Sequence, residues 1–181
     1  MKKIFYRKAI PLDIENLIDT FSFLVESEQL PEWHDPRRQG EQALRGYFEQ
    51  VLVSQNLTCL VFYRQNEQDE LGEAEEDPIG FVCYEEQAKE VMLWKLIIRP
   101  DAVRQKWGEK IFQLLFYVIF PEHKLIKGSI AVNNKRSQAF FESFGAEPLT
   151  TEYALSPTRR RQLIEDLKTD TDFQSTAIVK F

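Results

Sequence analysis

Residues 96–112 read LIIRPDAVRQKWGEKIF. The apolar Leu96, Ile97 and Ile98 end what reads as a strand over Val91 to Arg99. Pro100 to Lys106 is a polar connection, and Trp107 opens an amphipathic helix that Pro121 stops after Phe120. A strand that passes through a short loop into a helix aims several free backbone N–H groups and the positive end of the helix dipole at one spot, which suits an anion. Arg104 and Lys106 add positive charge there. The dipole contributes about 0.3–1 kcal/mol per exposed anionic group and up to about 2 kcal/mol when partly buried. That locates a phosphate but does not hold a ligand alone. By itself the stretch also reads as an ordinary strand-to-helix connection with solvated basic residues.

A second stretch, residues 130–146, reads IAVNNKRSQAFFESFGA. Asn134, Ser137 and Phe141 are three and four apart, so they share one face of a helix. Ala139, Phe140 and Phe144 lie on other faces and suit a core. Asn134 also fits a helix N-cap, and Gly145 a left-handed residue just past the helix end.

The rest of the chain supplies the frame around these two segments. Ile4 to Ile10 alternates as a strand, and Pro11 opens a helix with Asp13 and Glu15 in its first turn. Asp35 and Pro36 start a second helix that runs to about Ser54. Thr58 to Arg64 and Pro78 to Tyr84 are strands, and between them Asn66 to Asp77 holds seven acids and no base, a solvated hairpin tip. Leu125 to Val132 is a fifth strand and Leu149 to Leu155 a sixth. Pro157 to Thr169 is a helix, whose Arg159, Arg160 and Arg161 are expected in solvent, and Ser175 to Phe181 is a terminal strand. The fold class is α/β (α+β), with antiparallel hairpins first and a β-α-β-α-β unit later, in one domain over residues 1–181.

Composition narrows the function. The 181 residues carry 23 Lys plus Arg against 29 Asp plus Glu, a net charge of -6. With 43% hydrophobic residues and 14 Phe, the chain buries an aromatic-rich core and is not disordered. A net acidic chain is a poor candidate for binding a phosphate backbone, so nucleic acid is not expected as a partner. No apolar run approaches the roughly 20 residues that span a bilayer, and no signal peptide is legible, so no membrane is expected and the location reads as cytoplasmic. Cys59 and Cys83 read as small buried hydrophobes in a reducing compartment. With His34 and His123 the only imidazoles and no paired-ligand motif, no metal site is expected.

Together, the order and spacing of the two segments resemble the GNAT superfamily of acyl-CoA-dependent N-acetyltransferases, over about residues 4–155 plus the last strand. The first segment is similar to the family's cofactor motif, a strand ending in x-P followed by [RQ]-x-x-G-x-[GA]. Without gaps, Pro100 matches the proline, Val103 the Arg/Gln position, Lys106 the first glycine and Gly108 the last. A second register, with Gln105 at the Arg/Gln position, needs two inserted residues and puts Glu109 where an apolar residue belongs. In the second segment Ile130, Asn134, Ser137, Phe141, Gly145 and Ala146 fall in register with V-x-x-x-N-x-x-[AS]-x-x-x-Y-x-x-x-G-[FA].

The resemblance implies a mostly antiparallel sheet of about seven strands, splayed between strands four and five, with helices on both faces. It implies acetyl-CoA, or another acyl-CoA, as co-substrate and no metal. The pyrophosphate would lie on Arg104, Gln105, Lys106, Trp107, Gly108 and Glu109. The pantetheine arm would run along Leu96, Ile97 and Ile98, with Asn134, Ser137 and Phe141 also at the cofactor. A backbone N–H would polarise the thioester carbonyl, and a neutral amine would attack directly. Phe141 stands where the family often carries a tyrosine acid. Such an acid is worth about 10²–10⁴-fold, but a thiol of pKa about 8.5 is already a tolerable leaving group. Candidates for the catalytic groups, by location, are Glu85, Glu86, Glu90, Tyr84 and Tyr153, and Trp33 and His34 would border the acceptor pocket. The function implied is transfer of an acetyl or acyl group to a primary amine of a small molecule or protein. The alternative is a non-catalytic module that binds acyl-CoA or a protein partner. A homodimer is left open. Arg99, Arg104, Lys106 and Lys110 against Asp101 and Glu109 make the cofactor entrance net basic.

Overall fold

The computed structural model describes residues 3–26, 41–65, 76–130, 134–149, 152–169 and 177–180. Strand β1 (Lys3–Lys8) leads into a 3-10 turn at Pro11–Asp13 and helix α1 (Ile14–Glu26). Asp13 sets this turn. Its carboxylate accepts the Ile10 N–H at 2.7 Å, two bonds from the Arg7 guanidinium at 2.6 and 2.9 Å, and the Tyr63 hydroxyl at 2.9 Å. Helix α2 (Glu41–Val53) follows, then strands β2 (Leu57–Gln65), β3 (Glu76–Glu86) and β4 (Glu90–Ile98). After β4 come a short helix α3 (Pro100–Arg104) and helix α4 (Trp107–Leu114), which runs on into a single π turn at Leu115–Ile119. Strand β5 (Leu125–Ser129), helix α5 (Lys135–Ser143), strands β6 (Glu147–Leu149) and β7 (Glu152–Leu155), helix α6 (Pro157–Thr169) and strand β8 (Ala177–Lys180) complete the order.

One mixed sheet runs β6-β7-β5-β4-β3-β2-β1-β8. The β4/β5 and β1/β8 pairs are parallel and the others antiparallel. It has eight strands where about seven are expected. The stretch expected as a single sixth strand is instead a hairpin, with Leu149 opposite Glu152. The start expected for the second helix, at Asp35, lies outside the described residues.

The sheet separates two cores. One contains Phe112, Phe116, Phe144 and Leu115 from the α4/α5 side, and the other contains Leu17, Phe21, Leu44 and Phe48 from α1 and α2. A bulge in β4 decides which residues face which core. Cys83 opposes Lys95 while Tyr84 opposes Leu93, so Trp94 is the extra residue. Val91 and Leu93 before it pack into the α4/α5 core, and so do Leu96 and Ile98 after it, whereas Ile97 turns to the α1/α2 core.

Two sequence expectations are corrected here. Arg160 is not solvated but fully buried. Its guanidinium donates to the carbonyls of Phe116 and Phe120, both at 2.9 Å, of Lys124 at 3.2 Å, and of Pro121. Arg159 Nε donates to the Phe144 carbonyl at 3.2 Å, and only Arg161 is exposed. The reason is tertiary: α6 crosses the end of α4, where helix carbonyls lack partners. Nor is Asp77 part of a solvated tip. Arg64 and Arg99 each reach it at 2.6 Å, and both also reach Asp101 at 3.1 Å, closing a four-membered ion network.

Candidate functional site: a cavity where two strands part

Strands β4 and β5 pair in parallel from Glu90 opposite Leu125 to Leu93 opposite Gly128, and there the pairing stops. A cavity of about 680 Å³ opens beyond that point. Leu96, Ile97 and Ile98 form one wall, Lys106, Gly108 and Glu109 one end, and Ser137 and Phe141 of α5 another wall. Eight of the residues expected at a cofactor therefore line a single cavity. The β4 wall is held close to β3 by a glycine: a Cβ at Gly80 would collide with the Ile97 carbonyl oxygen.

Lys106 has φ 62 and ψ 20, and among the described residues it alone is a non-glycine with positive φ. An L-residue in that region costs about 1–2 kcal/mol. The gapless register places a glycine here, so the left-handed turn is kept although the side chain has changed. Lys106 is the N-cap of α4 and makes no side-chain cap bond. The first turn of α4, whose N–H groups point out of the helix start, sits beside the cavity end that Gly108 and Glu109 line.

The charge at this end differs from the expected basic patch. Arg99 is taken up by Asp77 and Asp101. Lys110 is buried with its ammonium 5.9 Å from the Trp107 ring centre. Among the described side chains, the cavity lining keeps Lys106 from one side and Arg136, in the first turn of α5, from the other, with Glu109 beside Lys106. Sequence reasoning missed Arg136. The available signal was a basic residue two positions after Asn134, at the start of the helix that walls the cavity.

Not every expected residue reaches the cavity. Trp107 is buried, and its Nε1 donates to Gln105 Oε1 at 3.2 Å. Asn134 Oδ1 accepts the Ser137 N–H at 3.0 Å, so that oxygen serves as the helix cap and Asn134 is not part of the wall. Arg104 closes α3, and its side chain lies outside the described part of the structure. Pro100, Val103, Ala139, Phe140, Ser143 and Phe144 line the cavity in addition. Phe141 packs on Phe112 with ring centres 5.1 Å apart, in a cluster with Phe140 and Phe144, and offers no proton.

The candidate acid and base groups separate clearly. Tyr84 is buried edge-on to Phe120 with ring centres 4.9 Å apart, and burial raises its hydroxyl above the ordinary value, so it stays protonated. Glu86 pairs with Lys124 at 2.7 Å and Glu90 with Lys127 at 2.8 Å. Glu85 stands opposite Met92, next along β3 from Cys83 on the α1/α2 face. Among the described residues no ion pair occupies it. Tyr153 lies opposite Gly128 in β7, and its side chain is outside the described part. Trp33 and His34 lie outside the described residues. Among the described residues no cluster of three metal-ligating side chains occurs, and no helix is long and apolar enough to cross a membrane.

Comparison with known proteins agrees with this geometry. A family model described as the GNAT acetyltransferase family matches residues 24–146. No curated protein matches by sequence. The fold is similar to the PaiA N-acetyltransferase from Thermoplasma acidophilum in complex with coenzyme A, with TM-score 0.59, 14% identity, and 83% of this chain and 96% of that one covered. It is also similar to AtaTR bound with AcCoA, with TM-score 0.54, 14% identity, and 88% and 97% covered. A third likeness is to the KacTA–DNA complex, with TM-score 0.50, 19% identity, and 70% and 87% covered. That last structure removes the support for excluding nucleic acid on overall charge: the fold also occurs within a DNA-bound assembly.

Proposed function

Because the chain belongs to the GNAT acetyltransferase family, we propose that it transfers an acyl group, acetyl foremost, from acyl-CoA to a primary amine of a small molecule or protein. The observation that carries this reading is the cavity between the parted strands, with the left-handed turn at Lys106 and the first turn of α4 at its end. The pyrophosphate would rest on the N–H groups of that first turn, between Lys106 and Arg136. The pantetheine arm would lie along Leu96 to Ile98 and complete the backbone pairing that β5 leaves open. The neutral amine attacks the thioester carbon, the new C–N bond forms, and the C–S bond breaks. The proton leaves the amine through water or Glu85, and CoA departs as thiol. The buried free thiols Cys59 and Cys83 support a reducing, cytoplasmic setting.

Titration calorimetry with acetyl-CoA tests the placement. The wild type should bind, and Lys106→Glu should bind about tenfold or more weakly, a loss of about 1.4 kcal/mol. Unchanged affinity in Lys106→Glu would sink the pyrophosphate placement. The absence of a proton donor at Phe141 favours a second reading, an acyl-CoA-binding module without turnover. Release of CoA thiol on addition of an amine panel decides between the two.

A further inference from the structure

Lys95 follows the bulged Trp94 and precedes Leu96 of the cavity wall, but it points to the opposite face of the sheet. Its ammonium lies 4.8 Å from the ring centre of Phe21 on α1 and 5.4 Å from that of Tyr47 on α2. Directly across the strands sit two thiols, Cys83 and then Cys59, with sulfurs 3.5 Å apart. Among the described residues no carboxylate comes within ion-pair distance of Lys95. It is a half-buried cation set in rings and thiols, and burial lowers its pKa from the ordinary lysine value. The rings stabilise the positive charge only in part. A charge held away from water interacts several-fold more strongly with an opposite charge than it would in bulk solvent.

The position of this cation is what gives it meaning. The bulge lies one residue past the last β4/β5 pair, Leu93 with Gly128. If the proposed function holds, the thioester sits at that parting, and the amine attacks from the face the cofactor helices do not cover. On that face Trp94 stands 57% exposed and offers a flat apolar surface. Lys127 already neutralises Glu90 at 2.8 Å. Among the described residues of β3 and β4, Glu85 and Lys95 are then the charges on this face that no ion pair occupies.

We propose that Lys95 determines acceptor specificity by binding an anionic group on the amine that is acylated, so that the acceptor is a small amine bearing a carboxylate or phosphate. This rests on the acyl-transfer reading for the site's location. A di- or polyamine would bring a second positive charge against Lys95, whereas an amine with an attached anion would meet Glu85 with one end and Lys95 with the other.

The test is calorimetry on the CoA-saturated protein with matched acceptors: glycine against glycinamide, phenylalanine against phenylalaninamide, and aminomethylphosphonate. At least one acid should bind tenfold or more tightly than its amide. Lys95→Met and Lys95→Gln should erase that preference, and Lys95→Arg should keep it. CoA affinity should stay unchanged in all three, which also reports that the variants fold. The phosphonate arm tells carboxylate from phosphate recognition. Equal or tighter binding of every amide, or a preference that survives in Lys95→Met, overturns the proposal. Thiol release is read in parallel: its absence alone refutes acyl transfer, while the binding ratios still decide Lys95.

Discussion

The two faces of the sheet handle polarity in opposite ways. On the α4/α5 side the core is aromatic, with Phe112 against Phe116, Phe140, Phe141 and Phe144 at ring centres 4.7–5.3 Å apart. Its fully buried ionic group, Arg160, is spent on main-chain carbonyls. On the α1/α2 side polar groups are set into the core itself: Asp13 with Arg7 and Tyr63, the thiols of Cys59 and Cys83, and Lys95 among rings. The difference separates shape from charge. One face makes a firm apolar wall to the cavity, and the other keeps ionisable groups near the point where the strands part.

The largest effect expected from testing this contrast is at Arg160. Burial lowers its pKa to about 10, so it remains charged at neutral pH. Arg160→Leu should strand the carbonyls at the end of α4 and cost about 3–5 kcal/mol. At about 2–4 °C per kcal/mol, the thermal midpoint should fall by about 6–20 °C. Arg161→Leu, at the next residue but exposed, should change stability by no more than about 0.5 kcal/mol. Equal effects at the two positions would break the claim that one arginine clamps the α4 side.

Asp13 makes the matching test on the other face. Burial pushes its carboxyl up, but the Arg7 bond, the Ile10 N–H and the Tyr63 hydroxyl outweigh it, so the net shift is downward. A carboxylate lowered on folding contributes stability that is complete above its unfolded value of about 3.9 and is lost as pH falls through the folded value. Urea midpoints from neutral to acid pH should therefore drop below about pH 4 in the wild type. Asp13→Asn should start about 2–3 kcal/mol lower at neutral pH and lose less on acidification. Parallel curves would show that this buried charge does not stabilise its face.

The smallest effect is expected at the seam. Lys106→Gly removes left-handed strain, and it should raise stability by up to about 1 kcal/mol while weakening CoA binding a few-fold. A gain in CoA affinity would show that the turn matters and the charge does not.

How far the sequence reaches depends on whether the deciding physics is local. The 96–112 segment was legible because strand and helix signals change over within it, but a lysine at 106 gave no sign of the left-handed turn found there. The β6/β7 hairpin was hidden because Thr150 and Thr151 between its strands carry no glycine or asparagine turn signal. Arg159, Arg160 and Arg161 look alike on paper, and only the crossing of α6 over α4 selects the middle one for burial. Asn134 illustrates a conflict between two legible roles: the capping reading matches its bond to Ser137 N–H, and the cofactor-facing reading does not match the cavity wall.

The bulge at Trp94 also constrains the length of β4. Side chains alternate along a strand, so a residue added to its regular part exchanges the two faces for everything downstream. Trp94 is the exception: deleting it would close the bulge and leave Lys95 opposite Cys83 with Leu96 and Ile98 still on the cavity face, whereas one residue inserted between Lys95 and Leu96 would turn Leu96 and Ile98 out of the cavity. Variation in this strand is thus better tolerated as substitution, or as loss of the bulged residue, than as insertion, which would exchange the face proposed for the cofactor with the face proposed for the acceptor.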